Sequence, residues 1–174
     1  MNYFNQETQR LILRKVNLDD VTSWTEFFEN NDRLHFLGLD MTKSFPELSQ
    51  GWIEIQMQRY EQEGLGMLGA IEKSTNELVG LCGIVPREID GNKYHEIAYS
   101  FKPKVWGKGY ATEASNQFRE FGLRHEIDSQ FISIIDLENY ASQAVARKNQ
   151  MEVLFDTLYY DSKVHIFGTI KTNK

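Results

Sequence analysis

The segment from Tyr94 to Ala114 constrains the fold more than any other stretch, because its hydrophobic period changes part-way along. In Tyr94–Phe101, His95, Ile97, Tyr99 and Phe101 fall on one side. Tyr94, Glu96, Ala98 and Ser100 fall on the other, which is the period of a strand. Val105-Trp106-Gly107-Lys108-Gly109-Tyr110-Ala111-Thr112-Glu113-Ala114 then opens a helical pattern that runs to about Glu126. Gly107 and Gly109 permit positive φ and close backbone approach. A helix start presents about four unpaired N–H groups and a partial positive charge. Strand, Gly-x-Gly and helix together make an anion site suited to phosphate or pyrophosphate, and Lys108 adds one formal charge there.

The rest of the chain reads as alternating layers. Residues 9–16 alternate around Leu11, Leu13 and Val16 and predict a first strand. Asp19 and Asp20 are N-cap candidates ahead of Val21, Trp24, Phe27 and Phe28, which sit at helical spacing. Residues 31–44 look irregular. A helix is expected over Phe45–Glu63, with Pro46 in its first turn, a stripe of Leu48, Trp52, Ile55, Met57 and Tyr60, and Gly64 and Gly66 beyond it. Gly66–Glu72 and Leu78–Val85 read as a hairpin with Asn76 near its tip, and Asp90-Gly91-Asn92 as another turn. Phe131–Leu137 is an apolar strand, 140–149 a short helix, and Met151–Tyr160 and Val164–Ile170 two closing strands. The order is β-α-α-β-β-β-α-β-α-β-β, a mixed α/β protein with mostly antiparallel hairpins. The step from 94 to 137 requires one parallel or splayed neighbour pair.

Composition removes several classes. At 174 residues a single domain over 1–174 is expected, given roughly 150 residues per domain. Lys and Arg number 19 against 25 Asp and Glu, a net charge of −6, which argues against nucleic acid as the main ligand. No run of apolar residues is long enough to span a membrane, and the first ten residues have no stretch of signal-peptide length. Cys82 is the only cysteine, which excludes an internal disulfide and fits a cytoplasmic setting. His35, His95, His125 and His165 form no HxxxH or HxH pair, so no metal site is expected.

Three nucleotide patterns bear on the glycine turn. A P-loop, GxxxxGK(S/T), fails because no Gly lies five residues before Gly109 and no Lys follows it. The dinucleotide pattern GxGxxG fails at Thr112, and the flanking strands are not a βαβαβ array. The coenzyme A pyrophosphate turn, Gln/Arg-x-x-Gly-x-Gly/Ala, matches at Gly109-Tyr110-Ala111, with Trp106 in the Gln/Arg position. Glycines serving helix packing alone remain the alternative.

Four segments together resemble the GNAT N-acetyltransferases, more narrowly the ribosomal-protein N-terminal acetyltransferases of the RimJ/RimL type. Thr8-Gln9-Arg10-Leu11-Ile12-Leu13-Arg14 is similar to their opening TxRLxLR strand. Leu78–Ile84 is similar to a glycine-containing strand, Glu96–Ala114 to the strand, loop and helix start that bind acetyl-CoA, and Asn139-Tyr140-Ala141-Ser142 with Lys148 to an NxxS…K helix. The resemblance implies the GNAT fold: a central, mostly antiparallel sheet, splayed at the cofactor site, with helices on both faces. It implies acetyl transfer from acetyl-CoA to a primary amine, a protein N-terminus or a small molecule. In that reading the backbone of Trp106, Gly107, Lys108, Gly109, Tyr110, Ala111 and Thr112 holds the pyrophosphate. The strand edge at Tyr99, Ser100 and Phe101 pairs with the pantetheine amides, and Asn139 and Ser142 face its arm. No membrane or nucleic-acid partner is implied, and the oligomeric state is monomer or homodimer. Two positions depart from the pattern: Ala146 stands where many relatives have a Tyr that protonates the departing thiolate, and Gln150 where a Gly is usual. Ser142 or water is then expected to supply that proton.

An alkyl amine attacks a thioester only in its neutral form, so a base is needed, and Glu96 is expected to act as that base. Its alternative is a surface pair with Lys or Arg. Cys82, in an apolar strand, reads as an inert core thiol. Trp24, Phe27, Phe28, Trp52 and Tyr60 read as core rather than pocket, and His35 and Phe36 as weak acceptor-side candidates. The acidic balance is compatible with a cationic acceptor. A CoA-binding module without catalysis and a partner-binding domain are the competing functional classes.

Overall fold

The computed structural model describes residues 2–169. Its strands are β1 (Asn5–Glu7), β2 (Leu11–Arg14), β3 (Gly66–Glu72), β4 (Glu77–Ile89), β5 (Asn92–Phe101), β6 (Phe131–Asp136), β7 (Met151–Tyr159) and β8 (Ser162–Thr169). The α-helices are α1 (Val21–Thr25), α2 (Phe45–Gln62), α3 (Tyr110–Arg124) and α4 (Tyr140–Lys148). The strands make one open sheet in the order β1-β2-β3-β4-β5-β6-β8-β7. Every neighbouring pair is antiparallel except β5–β6, which is parallel. The expected Ile170 end of the last strand lies outside the described residues.

Turn chemistry sets the two long hairpins. Asp90 and Gly91 both take positive φ, 50° and 76°, as a two-residue turn matching the twist of β4 and β5 requires. Tyr160 and Asp161 do the same between β7 and β8, at 45° and 65°. β4 runs past the expected end at Val85, through Pro86 to Ile89. Pro86 is tolerated because the odd-numbered residues of β4 bond to β5, and β3 has ended opposite Ile84. Its absent N–H would therefore face no neighbour.

Helices cover both faces. On one face Phe101 stacks near Tyr110 of α3, Gly122 of α3 lies against Phe131, and the Tyr99 hydroxyl donates to the Ser142 carbonyl of α4 at 2.9 Å. On the other, Lys102 Nζ reaches Ser23 of α1 at 3.0 Å and Glu26 at 3.2 Å. Gln56 of α2 accepts the Met67 N–H at 2.9 Å.

The first helices differ from the expected pattern. Asn17 caps a 3-10 turn over Leu18–Asp20; Asp20 holds the N-cap position of α1 without a side-chain cap bond, Asp19 caps neither, and α1 ends at Thr25. The Asp20 carboxylate is instead paired with Arg14 through two contacts of 2.8 Å. α2 buries Leu48, Ser49, Ile53, Gln56 and Tyr60, whereas Ile55 is 48% exposed. The stripe is displaced because the Gln56 and Tyr60 side chains bond to the β3 backbone. Trp24, Phe27, Phe28 and Tyr60 are buried and Trp52 is half-buried; Trp24 stacks on Phe27 at 4.5 Å. No helix among the described residues is long and apolar enough to cross a membrane.

Tyr3 joins the N-terminal segment to the sheet. Its buried hydroxyl donates to Gly66 O at 2.6 Å and accepts from Ile84 N at 2.7 Å. Tyr3→Phe leaves both backbone groups buried without that partner, and is expected to cost about 1–3 kcal/mol. Urea unfolding of both proteins measures this; an unchanged midpoint at unchanged slope refutes it.

Candidate functional site

The strand–turn–helix segment lies beside a break in the sheet. β5 and β6 pair only at His95↔Phe131 and Glu96↔Ile132, although β5 continues to Phe101 and β6 to Asp136. The next carbonyl of β5, Ile97 O, is taken by the Ser133 hydroxyl at 2.9 Å. Lys102 N bonds to Val79 O, so even-numbered residues of β5 turn their backbone to β4 and odd-numbered ones face the break. Phe101 O is occupied by the Trp106 indole N–H at 2.7 Å. Between those two occupied carbonyls, Tyr99 presents its N–H and C=O to the gap, as an unpaired sheet edge does.

The glycine turn continues from there. Gly107 and Gly109 have φ of 77° and 83°, and Gly109 is the N-cap of α3. A Cβ at Gly107 meets nothing within 4 Å, so the turn needs these glycines for their backbone angle rather than for space. The Trp106 and Lys108 amides donate within the turn, to Pro103 O and Val105 O. Those of Gly107, Gly109, Tyr110, Ala111 and Thr112 have no acceptor among the described residues. Five free donors around a helix N-terminus form an anion cradle.

Arg10 holds this turn in place. Its Nε and amide donate to the two oxygens of Glu113 at 2.6 and 2.9 Å, its Nη1 donates to Lys108 O at 2.8 Å, and its guanidinium lies 4.3 Å from the Tyr110 ring centroid. Thr8 Oγ1 also donates to Glu113, at 2.5 Å. Burial pushes the Glu113 carboxyl up, but the bonds from Thr8 and Arg10 outweigh it and hold the group below the usual Glu range.

A cavity of about 400 Å³ joins the gap to the turn. Of the residues expected to bind a cofactor, Ser100, Phe101, Trp106, Gly107, Gly109, Tyr110, Ala111, Thr112, Asn139 and Ser142 line it. Lys108 does not; its side chain is exposed and its carbonyl is the group that Arg10 holds. No Asp or Glu lines the cavity, whereas Arg33 and Lys148 do. Arg33 comes from the irregular segment before the 3-10 turn Leu34–Leu37, and its guanidinium lies 4.0 Å from the Trp106 ring centroid. Asn31, Arg33 and Leu37 are thus the wall residues from that segment, along with Phe27 from the core, rather than the expected His35 and Phe36. No sequence period marks Arg33; only the fold brings it to Trp106.

The sequence model of the acetyltransferase (GNAT) domain family matches residues 10–152. The chain belongs to this family. It is 31% identical over 143 residues to YkkB of Bacillus subtilis, an uncharacterized protein, covering 81% of each chain. It is 30% identical over 120 residues to the uncharacterized N-acetyltransferase p20 of Bacillus licheniformis, covering 67% of this chain and 64% of that protein. Among solved structures it is similar to a putative ribosomal-protein-serine acetyltransferase of Vibrio cholerae, with TM-score 0.77, 22% identity and coverage of 96% and 97%. RimL, a ribosomal-protein acetyltransferase in complex with coenzyme A, matches with TM-score 0.78, 17% identity and coverage of 96% and 97%. At these identities the structures show the shared fold. This acetyltransferase has an anion cradle next to a free strand edge.

The remaining site residues of the acetyltransferase are placed as follows. Ser142 lines the cavity, and its hydroxyl makes no hydrogen bond among the described residues. Asn139 Oδ1 accepts the Ser142 amide at 3.1 Å, so the NxxS spacing is first a helix cap. Glu96 is buried outside the cavity wall and pairs with Arg87, Nε to Oε2, at 2.6 Å. Ala146 is 1% exposed and is not part of the cavity wall. Gln150 has φ of 59°, which explains why a Gly suits that position. Cys82 is fully buried, and burial pushes its thiol up, away from the nucleophilic thiolate. Among the described residues no cluster of His, Cys, Asp or Glu is placed to hold a metal ion.

Replacing Glu113 with Gln removes the carboxylate that Arg10 and Thr8 hold, and is expected to lower stability by about 1–3 kcal/mol. Because the folded carboxyl titrates below the unfolded one, this contribution is present above the ordinary Glu range and lost as pH falls through the lower, folded value. Thermal midpoints from pH 7 to pH 3 check this: the gap between the two proteins closes toward acid. A gap that widens toward acid refutes the assignment.

Proposed function

We propose that the chain moves the acetyl group of acetyl-CoA directly to the nitrogen of a primary amine, with Glu96 as base and Ser142 as donor to the departing sulfur. The observation that carries this is the free peptide edge of Tyr99 next to the five unpaired amides of the glycine turn, in a cavity without a carboxylate. The five amides receive the pyrophosphate, and Arg33 and Lys148 add positive charge beside it. Tyr99 N–H and C=O hold the pantetheine arm as an added strand would be held. Acetyl-CoA supplies the activated acetyl group; a C–N bond to the acceptor forms as the C–S bond breaks. Oε1 of Glu96, which has no partner among the described residues, takes the proton of the acceptor nitrogen directly or through water. The Ser142 hydroxyl is a free donor on the cavity wall for the sulfur. Tyr99 is a poorer choice, since burial pushes its hydroxyl up and it already donates to Ser142 O. Ala146 is buried outside the cavity wall and offers the sulfur no proton, so detectable acetyl transfer to an amine is what excludes binding without catalysis. A cytoplasmic location belongs to the same reading.

Gly109→Val forces a branched side chain into φ of 83° and displaces the cradle. It is expected to weaken acetyl-CoA binding at least about tenfold, the factor worth 1.4 kcal/mol. Titration calorimetry on protein with an unchanged circular-dichroism spectrum tests it, and unchanged affinity removes the pyrophosphate assignment.

Glu96→Gln is expected to lower turnover about 10²-fold or more, most strongly at low pH where the acceptor amine is protonated, and to spare acetyl-CoA affinity. A wild-type rate across pH 6–9 rejects Glu96 as the base.

A further inference from the structure

The glycine turn holds five free amides but aims no side-chain cation of its own at them. Lys108 is exposed and outside the cavity wall, and Arg10 bonds the turn from behind. Trp106 stands in the position where the diphosphate pattern carries Gln or Arg. A helix N-terminus supplies about half an elementary charge, whereas a diphosphate linkage carries a full charge on each phosphate. Two cations line the cavity, Arg33 and Lys148. Lys148 is exposed, whereas Arg33 is held from two sides. Its guanidinium lies 4.0 Å from the Trp106 ring centroid, and the Trp106 indole is itself tied to Phe101 O at 2.7 Å. On the other side Asn31 Oδ1 accepts the Arg33 amide at 2.9 Å, and Asn31 Nδ2 donates to the carbonyl of buried Phe27 at 2.9 Å. Stacking uses the face of a guanidinium and leaves its N–H edge free. That edge makes no hydrogen bond among the described residues. Its one ion pair there, to Asp32, spans 4.0 Å to a side chain that is 86% exposed, a contact worth little.

We infer that Arg33 is a direct ligand of the donor's diphosphate, bonding it through two parallel N–H groups, so that the 31–37 segment supplies the cation that Trp106 removes from the turn. The inference rests on the acetyl-CoA reading of the cavity and narrows it: the feature of the donor that this residue reads is the diphosphate, not the 3′-phosphate. Trp106 directly precedes Gly107, the first of the five free amides, so a group stacked on its ring lies at the edge of the cradle. No carboxylate of the cavity wall competes for the guanidinium. A planar fork meets a phosphate at two points, which an ammonium cannot do. Stacking also orders the side chain in advance, so less freedom is lost when the phosphate arrives. Trp106 thereby serves twice: its indole N–H closes the strand edge at Phe101, and its ring seats the arginine.

The test measures, by titration calorimetry on the full chain, the Kd of CoA and of dephospho-CoA, which keeps the diphosphate and lacks the 3′-phosphate. Arg33→Ala is expected to weaken both by the same factor, about 10- to 100-fold, with partial recovery in Arg33→Lys. Salt separates a charge contact from a merely structural role: raising it weakens the wild type more than Arg33→Ala, so the ratio of their affinities shrinks. Asn31→Ala keeps the charge and loosens its anchor, and is expected to weaken both compounds by a smaller common factor. A loss confined to CoA assigns Arg33 to the 3′-phosphate instead. That result, unchanged affinity for both compounds, or a loss that salt leaves unaltered each overturns the inference while the donor site stands. If the folded wild type binds neither compound, the acetyl-CoA reading falls and takes this inference with it. The thermal midpoint of ligand-free Arg33→Ala serves as the folding control.

Discussion

β5 and β6 pair for two residues and then part, and the site follows from that separation. Parallel neighbours normally continue their ladder, because an unpaired backbone group away from water is costly. Here the cost is contained residue by residue. Ser133 takes the carbonyl of Ile97, the Trp106 indole takes that of Phe101, and the peptide of Tyr99 is left open between them. The opening is thus one extended peptide long, which suits a ligand that carries its own amides. Tyr99 also fixes the far wall, since its hydroxyl reaches the Ser142 carbonyl at the start of α4. Neighbouring strands sit about 4.8 Å apart, so a gap admitting one more extended chain needs roughly twice that. A tyrosine spanning from strand to helix keeps the gap from closing.

Charge is partitioned around this gap in a way that the net value conceals. Acidic residues outnumber basic ones by 25 to 19, yet none lines the cavity. Those nearby are engaged elsewhere. Glu113 is held by Arg10 and Thr8, Glu72 by the Tyr110 hydroxyl, and Glu26 by Lys102 and Lys104. Arg10 acts from outside the cradle, bonding the carbonyl of Lys108 and the first-turn Glu113, so the free amides point inward with nothing anionic among them. A negative residue in the first turn of a helix is favourable in its own right. Its capture by Arg10 lets α3 keep that benefit without repelling a phosphate.

The parts of this arrangement that were legible in the sequence are those fixed by local backbone demands. Gly107 and Gly109 need positive φ, Asp90-Gly91 needs a primed turn, and the change of period at Tyr94–Ala114 needs a strand followed by a helix. One parallel or splayed neighbour pair followed from element order alone. The less legible parts depend on distant partners. β1 is too short to show a period, and Pro86 looks like a strand end until the missing neighbour on its β3 side is known. The similarity at Thr8 and Arg10 was visible, but their role as the clasp of Glu113 spans more than a hundred residues of chain. Arg33 carries no pattern of its own; it matters because folding brings it to Trp106. The surface-pair alternative for Glu96 was right about the arginine and wrong about the surface, since the residue is 7% exposed.

In the proposed reaction the two faces of the sheet let an acyl donor and an amine meet without sharing a pocket. Odd-numbered residues of β5 look toward α3 and α4, and their free backbone edge lies on the cavity. Even-numbered residues look toward α1 and α2, and there Glu96 pairs with Arg87. An intact sheet keeps molecules on its two faces apart. Only where β5 and β6 separate can atoms bound on one face touch atoms bound on the other, and Glu96 stands at that boundary. A base placed deeper in the cofactor cavity would have brought negative charge beside the phosphates. A base placed farther along β5 would have been out of reach of the gap. The pairing with Arg87 fixes one carboxylate oxygen of Glu96 and leaves the other without a partner among the described residues, as the proposed base requires.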